Sequence, residues 1–126
     1  MEKTIKLTAR ITKITIRQLY DQDPDTSYMD QDGFEKRKMQ YDNGDFFYIG
    51  VRADADIQTS YDGKNWLCNT ITSGGLWGIE SDSDESYIES IRIEEETELR
   101  DILSKFGFSD DEITTALDNS ETKTDY

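Results

Sequence analysis

The chain has 126 residues, of which 34% are hydrophobic and 33% charged, with 28 acidic against 14 basic side chains and a formal net charge of −14. That length fits one domain with a real core, and two tryptophans, seven tyrosines and five phenylalanines set in patterned segments argue against disorder. The charge repels nucleic acid and anionic membranes and steers basic protein surfaces or cations toward the molecule; no stretch reaches the 18 or so apolar residues that span a bilayer.

Residues 4 to 17 alternate as a strand, with Ile5, Leu7, Ala9 and Ile11 on one face. The parity then changes at Ile14 and Ile16, which predicts a bulge near Thr12 and Lys13 that returns them to the buried face. Residues 20 to 33 hold five aspartates, the only proline and one glycine and read as a loop. Phe34 to Asn43 fits a short strand or a helical turn. From Phe47 to Ile57 the apolar residues Phe47, Ile49, Val51, Ala53, Ala55 and Ile57 share parity, while Arg52, Asp54 and Asp56 take the other face: a half-buried strand. Asp62-Gly63 suits a two-residue hairpin turn, which would return residues 64 to 71 with Thr59 opposite Trp66 and Ile57 opposite Cys68. In that register Trp66 and Cys68 fall on the apolar side, with Cys68 a small core residue.

Leu76 to Ile79 reads as a further strand kinked by glycine. A long helix follows Glu80 to Glu85, with Ser83 or Asp84 at its N-cap, a stripe of Ile88, Ile91, Leu99, Ile102, Leu103 and Phe106, a polar turn at Glu94 to Glu96, and Gly107 as its stop. Ser109 with Glu112 makes a capping box for a last helix carrying Ile113 and Leu117. The fold class expected is α+β: a mostly antiparallel sheet of three to five strands with one long and one short C-terminal helix packed on it, in a single domain over residues 1–118, with 119–126 a flexible tail.

The chain contains no histidine, the commonest general base and transition-metal ligand. One cysteine makes neither an internal disulfide nor a thiolate zinc site, and no phosphate-binding glycine loop occurs. Catalysis would rest on carboxylates alone, and the expectation is a non-enzymatic protein without a cofactor. With no apolar leader segment, a cytoplasmic location is expected.

Two acidic regions are candidate sites. Asp21, Asp23, Asp25 and Asp32 follow the ligand spacing of a calcium-binding EF-hand loop, although Thr26 stands where its turn needs glycine and Asp32 where it needs the longer glutamate. Between Glu80 and Glu112 there are thirteen acidic and three basic residues. Trp77, Glu80, Asp82, Asp84, Glu85, Glu94, Glu95, Glu96 and Glu98 then form a candidate partner-binding set, a tryptophan anchor ringed by carboxylates. The alternatives are structural: Trp77 anchors the helix on the sheet while the acids cap it or form its solvated face, or the acids pair internally with the basic first strand.

The segments Asp23-Pro24-Asp25-Thr26-Ser27-Tyr28 and Ser73-Gly74-Gly75-Leu76-Trp77-Gly78-Ile79-Glu80-Ser81-Asp82-Ser83-Asp84, with Glu85, Tyr87, Ile88 and the helix end from Glu98-Leu99-Arg100 to Gly107, resemble a family of small acidic phage and mobile-element proteins of uncharacterised function. The resemblance brings no catalytic residues. It implies a mobile-element setting, where small acidic proteins inhibit host nucleases by imitating DNA. The expectation is therefore an acidic domain that binds a basic protein surface, DNA mimicry against a nucleic-acid-binding host-defence protein being one form of it, with a calcium-binding module as the alternative.

Overall fold

The computed structural model describes residues 7–126; Ile5 of the expected first strand lies outside them. The element order is β1 (Thr8–Tyr20), a 3₁₀ turn (Ser27–Asp30), α1 (Glu35–Asp42), β2 (Tyr48–Ser60), β3 (Leu67–Thr72), β4 (Leu76–Glu80), α2 (Glu85–Lys105), α3 (Asp110–Asp118) and β5 (Glu121–Asp125). One five-stranded sheet of an α+β fold results. Its order is β3-β2-β1-β5, with β4 also on β2. The sheet is mixed: β2 pairs antiparallel with β1, β3 and β4, whereas β5 runs parallel to β1. The C-terminal segment expected to fray is thus a strand, held by backbone pairing that composition does not reveal.

The alternation of β2 organises the core. Ile49, Val51, Ala53, Ala55 and Ile57 are buried toward Ile91, Leu99 and Leu103 of α2 and Ile113 of α3. In β1 the register shifts between Ile11 and Lys13, the expected bulge, and Ile14 and Ile16 join the same core. The ambiguous 34–43 segment is helical. Met29, Phe46 and Tyr48, with Tyr28, Phe34 and Tyr41 packed around them, form a second small core that seats α1 and the 3₁₀ turn.

The β2–β3 hairpin differs from expectation by one residue. Gln58 pairs with Cys68 and Ile57 with Asn69, and a slip of one flips every side chain to the other face. Cys68 is therefore exposed and Trp66 lies on the polar face, beneath the Arg10 guanidinium at 3.8 Å. The cause is in the turn: the Asp62 carboxylate accepts from the backbone amides of Lys64 and Asn65, both at 2.8 Å, and Ser60 Oγ accepts from Gly63 N. A loop built by side-chain acceptors replaces the two-residue turn.

Gly78 sits inside β4 with a φ of 74°, at the register shift against β2, a bulge that few side chains tolerate. Gly50 answers a different need. A Cβ there would lie 2.3 Å from the Trp77 ring, which rests on the bare backbone of β2. Gly50→Ala should cost about 1–3 kcal/mol by overpacking, read by urea denaturation, and the cost should shrink in a Trp77→Val background. Equal costs in both backgrounds would contradict this packing.

Candidate functional site

The predicted acidic set divides into groups that do different work. Glu80, at the end of β4, and Asp82, in the turn from β4 to α2, are both bound by Arg37 of α1, whose guanidinium also lies 3.6 Å from the Phe46 ring centroid. These hydrogen bonds, that with Asp82 foremost, raise the Arg37 pKa, and the Arg37 bond in turn lowers that of the Asp82 carboxyl. The pair clamps α1 to the sheet. Asp84 holds the N-cap position of α2 without a side-chain cap bond, and Glu85 occupies the first turn, where a carboxylate complements the helix dipole.

The glutamates of α2 point three ways. Glu95 faces the sheet and is only 5% exposed, so it leaves the partner-binding set. Its carboxylate accepts from Ser73 Oγ at 2.9 Å, and the same Ser73 oxygen accepts from Ala53 N at 2.9 Å. Glu95 thereby ties α2 to the point where β3 gives way to β4. Glu94 and Glu98, one turn apart, share one exposed flank. Glu96 lies on the opposite flank with Glu85, Glu89 and Arg92; the last three line a cleft of about 600 Å³ that reaches Thr122 of β5. Among the described residues no cation lies within ion-pairing distance of Glu94, Glu96 or Glu98.

Among the described residues, the basic side chains of the first strand do not pair with this helix. Arg17 binds Asp54 at 2.9 Å and Asp125 at 3.1 Å, Lys13 binds Glu121 at 2.7 Å, and Arg52 binds Asp54 at 2.7 Å. Asp54 is the keystone, nearly buried between two arginines on the sheet face away from α2. Sequence alternation assigned it to the polar face without showing that partners would cover it. Trp77 is on that face too, 43% exposed, its indole Nε1 donating to Gly74 O at 3.2 Å. It is therefore separated by the sheet from Glu94 and Glu98, and the expected ring of carboxylates around a tryptophan does not form.

The aspartates of the first loop are likewise dispersed. Asp21 is buried and accepts from Gly78 N at 3.0 Å and Asp23 N at 3.1 Å. Asp25 accepts from Ser27 N at 3.0 Å, and its bonds with the Ser27 hydroxyl and backbone lower its pKa. Asp23 and Asp32 are exposed. Among the described residues no three His, Cys, Asp or Glu side chains converge as a metal site would require. Asp21 and Asp25 serve the loop as turn acceptors, Asp21 also fixing the bulge of β4.

A cleft of about 700 Å³ between β1 and α3 is lined by Arg10, Lys13, Asp111, Glu112, Thr115 and Glu121 among others. Asp111, Glu112 and Glu121 are all exposed, so the cleft lacks the buried carboxylate pair that acid–base hydrolysis would use. No helix among the described residues is long and apolar enough to cross a membrane.

Burial raises the Glu95 pKa and the charges of Glu98 and Glu94 add to the rise, against the lowering effect of Ser73 and the Gly75 backbone. The unfolded chain then releases this proton at lower pH than the native protein, so between the two pKa values stability falls as pH rises and stays reduced above both. Glu95→Gln keeps an acceptor for Ser73 and removes the penalty. It should be more stable than the parent near pH 7, with the difference closing as pH falls to about 4.5, the ordinary glutamate value. Urea denaturation of both proteins at the two pH values checks this. No model of a known protein family, no curated protein and no solved structure matches the chain, and the functional reading rests on its own residues.

Proposed function

We propose that this is a non-catalytic binding protein that docks through the acidic outer surface of α2 and α3 onto a basic protein surface. The observation that carries the reading is the segregation of charge. Arg17, Arg37, Arg52 and Lys13 are neutralised by carboxylates on or beside the sheet, whereas among the described residues no cation lies within ion-pairing distance of Glu94, Glu96 or Glu98. A field that is unbalanced over one layer steers a cationic partner to that layer. Asp110, Asp111 and Glu112 extend it into the first turn of α3.

DNA mimicry is the form of this reading that the spacing supports. Glu94 and Glu98 lie about 6 Å apart along the helix axis, and Asp101, which pairs with Lys105, about 4.5 Å further, within a factor of about two of the axial phosphate spacing on one DNA strand. A nucleic-acid-binding protein in the cytoplasm of the host, including a defence nuclease, is the partner class proposed. The resemblance to small acidic mobile-element proteins supports the same setting.

The test is affinity purification from the host followed by competition. Captured partners should be displaced by duplex DNA and by salt, and binding should fall at least about tenfold in a Glu94→Lys, Glu96→Lys, Glu98→Lys variant that leaves the buried Glu95 in place. Affinity unchanged by the reversal at low salt would overturn the proposal. Displacement by salt without displacement by DNA would remove the mimicry and leave a general basic surface as partner.

A further inference from the structure

Among the described residues the sheet has two free edges of opposite character. At one, β5 reads Glu121-Thr122-Lys123-Thr124-Asp125, and alternating charges of this kind deter a further strand. At the other lies β3, Leu67–Thr72, which ends the strand order and carries no charge, proline or bulge. It belongs to an uncharged run of fifteen residues, Asn65 to Ile79, in a chain of which 33% is charged; the next longest such run is the six from Phe46 to Val51. Leu67 is 67% exposed on this edge.

The hydrogen-bonding pattern shows which groups are available. Ser73 N donates to Ala53 O at 2.9 Å, so alternate residues back along β3, namely Ile71, Asn69 and Leu67, direct their backbone groups at β2. Cys68, Thr70 and Thr72 direct theirs outward. Above this edge runs one flank of α2. Glu95 is anchored to Ser73 and its carboxyl senses Gly75, Glu98 and Glu94, while the other flank turns toward Thr122 and, through Arg100, toward Thr114 of α3. Glu94 and Glu98 therefore overhang the β3 edge.

We propose that β3 receives an extended basic segment of the partner as an added strand, its backbone bonded to Cys68, Thr70 and Thr72 and its lysine or arginine side chains turned to Glu94 and Glu98. This rests on the acidic-surface reading and names the shape of what binds there. Strand addition supplies affinity through the main chain, and side chains alternating across the two faces supply selection. A second copy of this chain is the poorer occupant. Two β3 strands paired about a two-fold axis form one continuous sheet with both α2 helices on the same side, setting Glu94 and Glu98 of each copy against their equivalents.

The probe is a synthetic peptide of about nine alternating lysine and valine residues, compared with a glutamate–valine peptide and with a lysine–valine peptide N-methylated at alternate amides. Hydrogen exchange followed by NMR should show the Cys68, Thr70 and Thr72 amides slowed at least about tenfold by the lysine peptide. N-methylation on the bonding edge should weaken binding at least about tenfold, and the glutamate peptide should not bind. Thr70→Pro removes an outward donor and should weaken binding similarly; the N-methylated peptide makes the same measurement on the unaltered protein. Lysine-peptide binding that leaves these amides unprotected or tolerates N-methylation overturns strand addition, as does self-association through these amides without peptide. A native partner that depends on Glu94 and Glu98 but is indifferent to Thr70→Pro would sink this inference alone and leave the acidic-surface reading standing.

Discussion

Every layer of this molecule is built on β2. Its alternation over Ile49 to Ile57 divides the sheet into an apolar face, buried by α2 and α3, and a polar face. Both of its edges are used: β1 takes one, and β3 and β4 share the other end to end. The hand-over between them, at Ser73, leaves the backbone of Ala53 without a regular ladder partner on one of its groups. Ser73 Oγ accepts from Ala53 N, and Glu95 accepts from Ser73, so a side chain from the helix completes the hydrogen bonding of the sheet. A buried polar group is tolerable where it is fully bonded, and here it fixes the helix on the sheet at the point where the strand edge changes hands.

The distribution of charge follows from the same architecture. Cations that fall on sheet positions meet carboxylates across strands, as Arg17 meets Asp54 and Lys13 meets Glu121, or along one strand, as Arg52 meets Asp54. Residues on the outer helical surface meet mostly water. The twofold excess of acid over base in the sequence becomes a larger imbalance on one layer, because the pairing in the sheet uses up positive charge. An exposed ion pair such as Lys13–Glu121 is worth little to stability, about 0–1 kcal/mol, and its larger effect here is on where the field is left open.

Much of the fold was legible in sequence where a period ran long enough. The β2 alternation, the β1 bulge and the Ser109–Glu112 capping box stand as expected, and so does the α2 stripe at Ile88, Ile91, Leu99 and Leu103, but Phe106, expected to end that stripe, is the C-cap of α2 and is exposed. What escaped was decided by contacts distant in sequence or by side chains acting on backbone. The register of Cys68 depended on Asp62 and Ser60 building a longer loop than Asp62-Gly63 suggested. The strand at Glu121–Asp125 has no apolar residue to announce it and exists through pairing with β1. Of the candidate site, Glu94 and Glu98 are exposed and Glu96 is half-buried, but their identical neighbour Glu95 is inside. Helical geometry could place it near the stripe of Ile91 and Leu99; only the position of Ser73 explains why a carboxylate is held there. Trp77 was misplaced for a related reason: its binding surface is the absent side chain of Gly50, and a glycine in a strand does not say what lies over it.

The parallel pairing of β5 with β1 bears on how the protein is made. Arg17 and Asp125 are 108 positions apart in the chain, and closing so long a loop is slow compared with forming the local helices and hairpins. During synthesis the outer edge of β1 stays uncovered until residue 125 has left the ribosome. Lys13 and Arg17 are by then already on that strand, and charged side chains on an open edge hinder pairing with the wrong neighbour. The residues that bind β5 in the finished molecule thus also guard its docking place while the chain is incomplete.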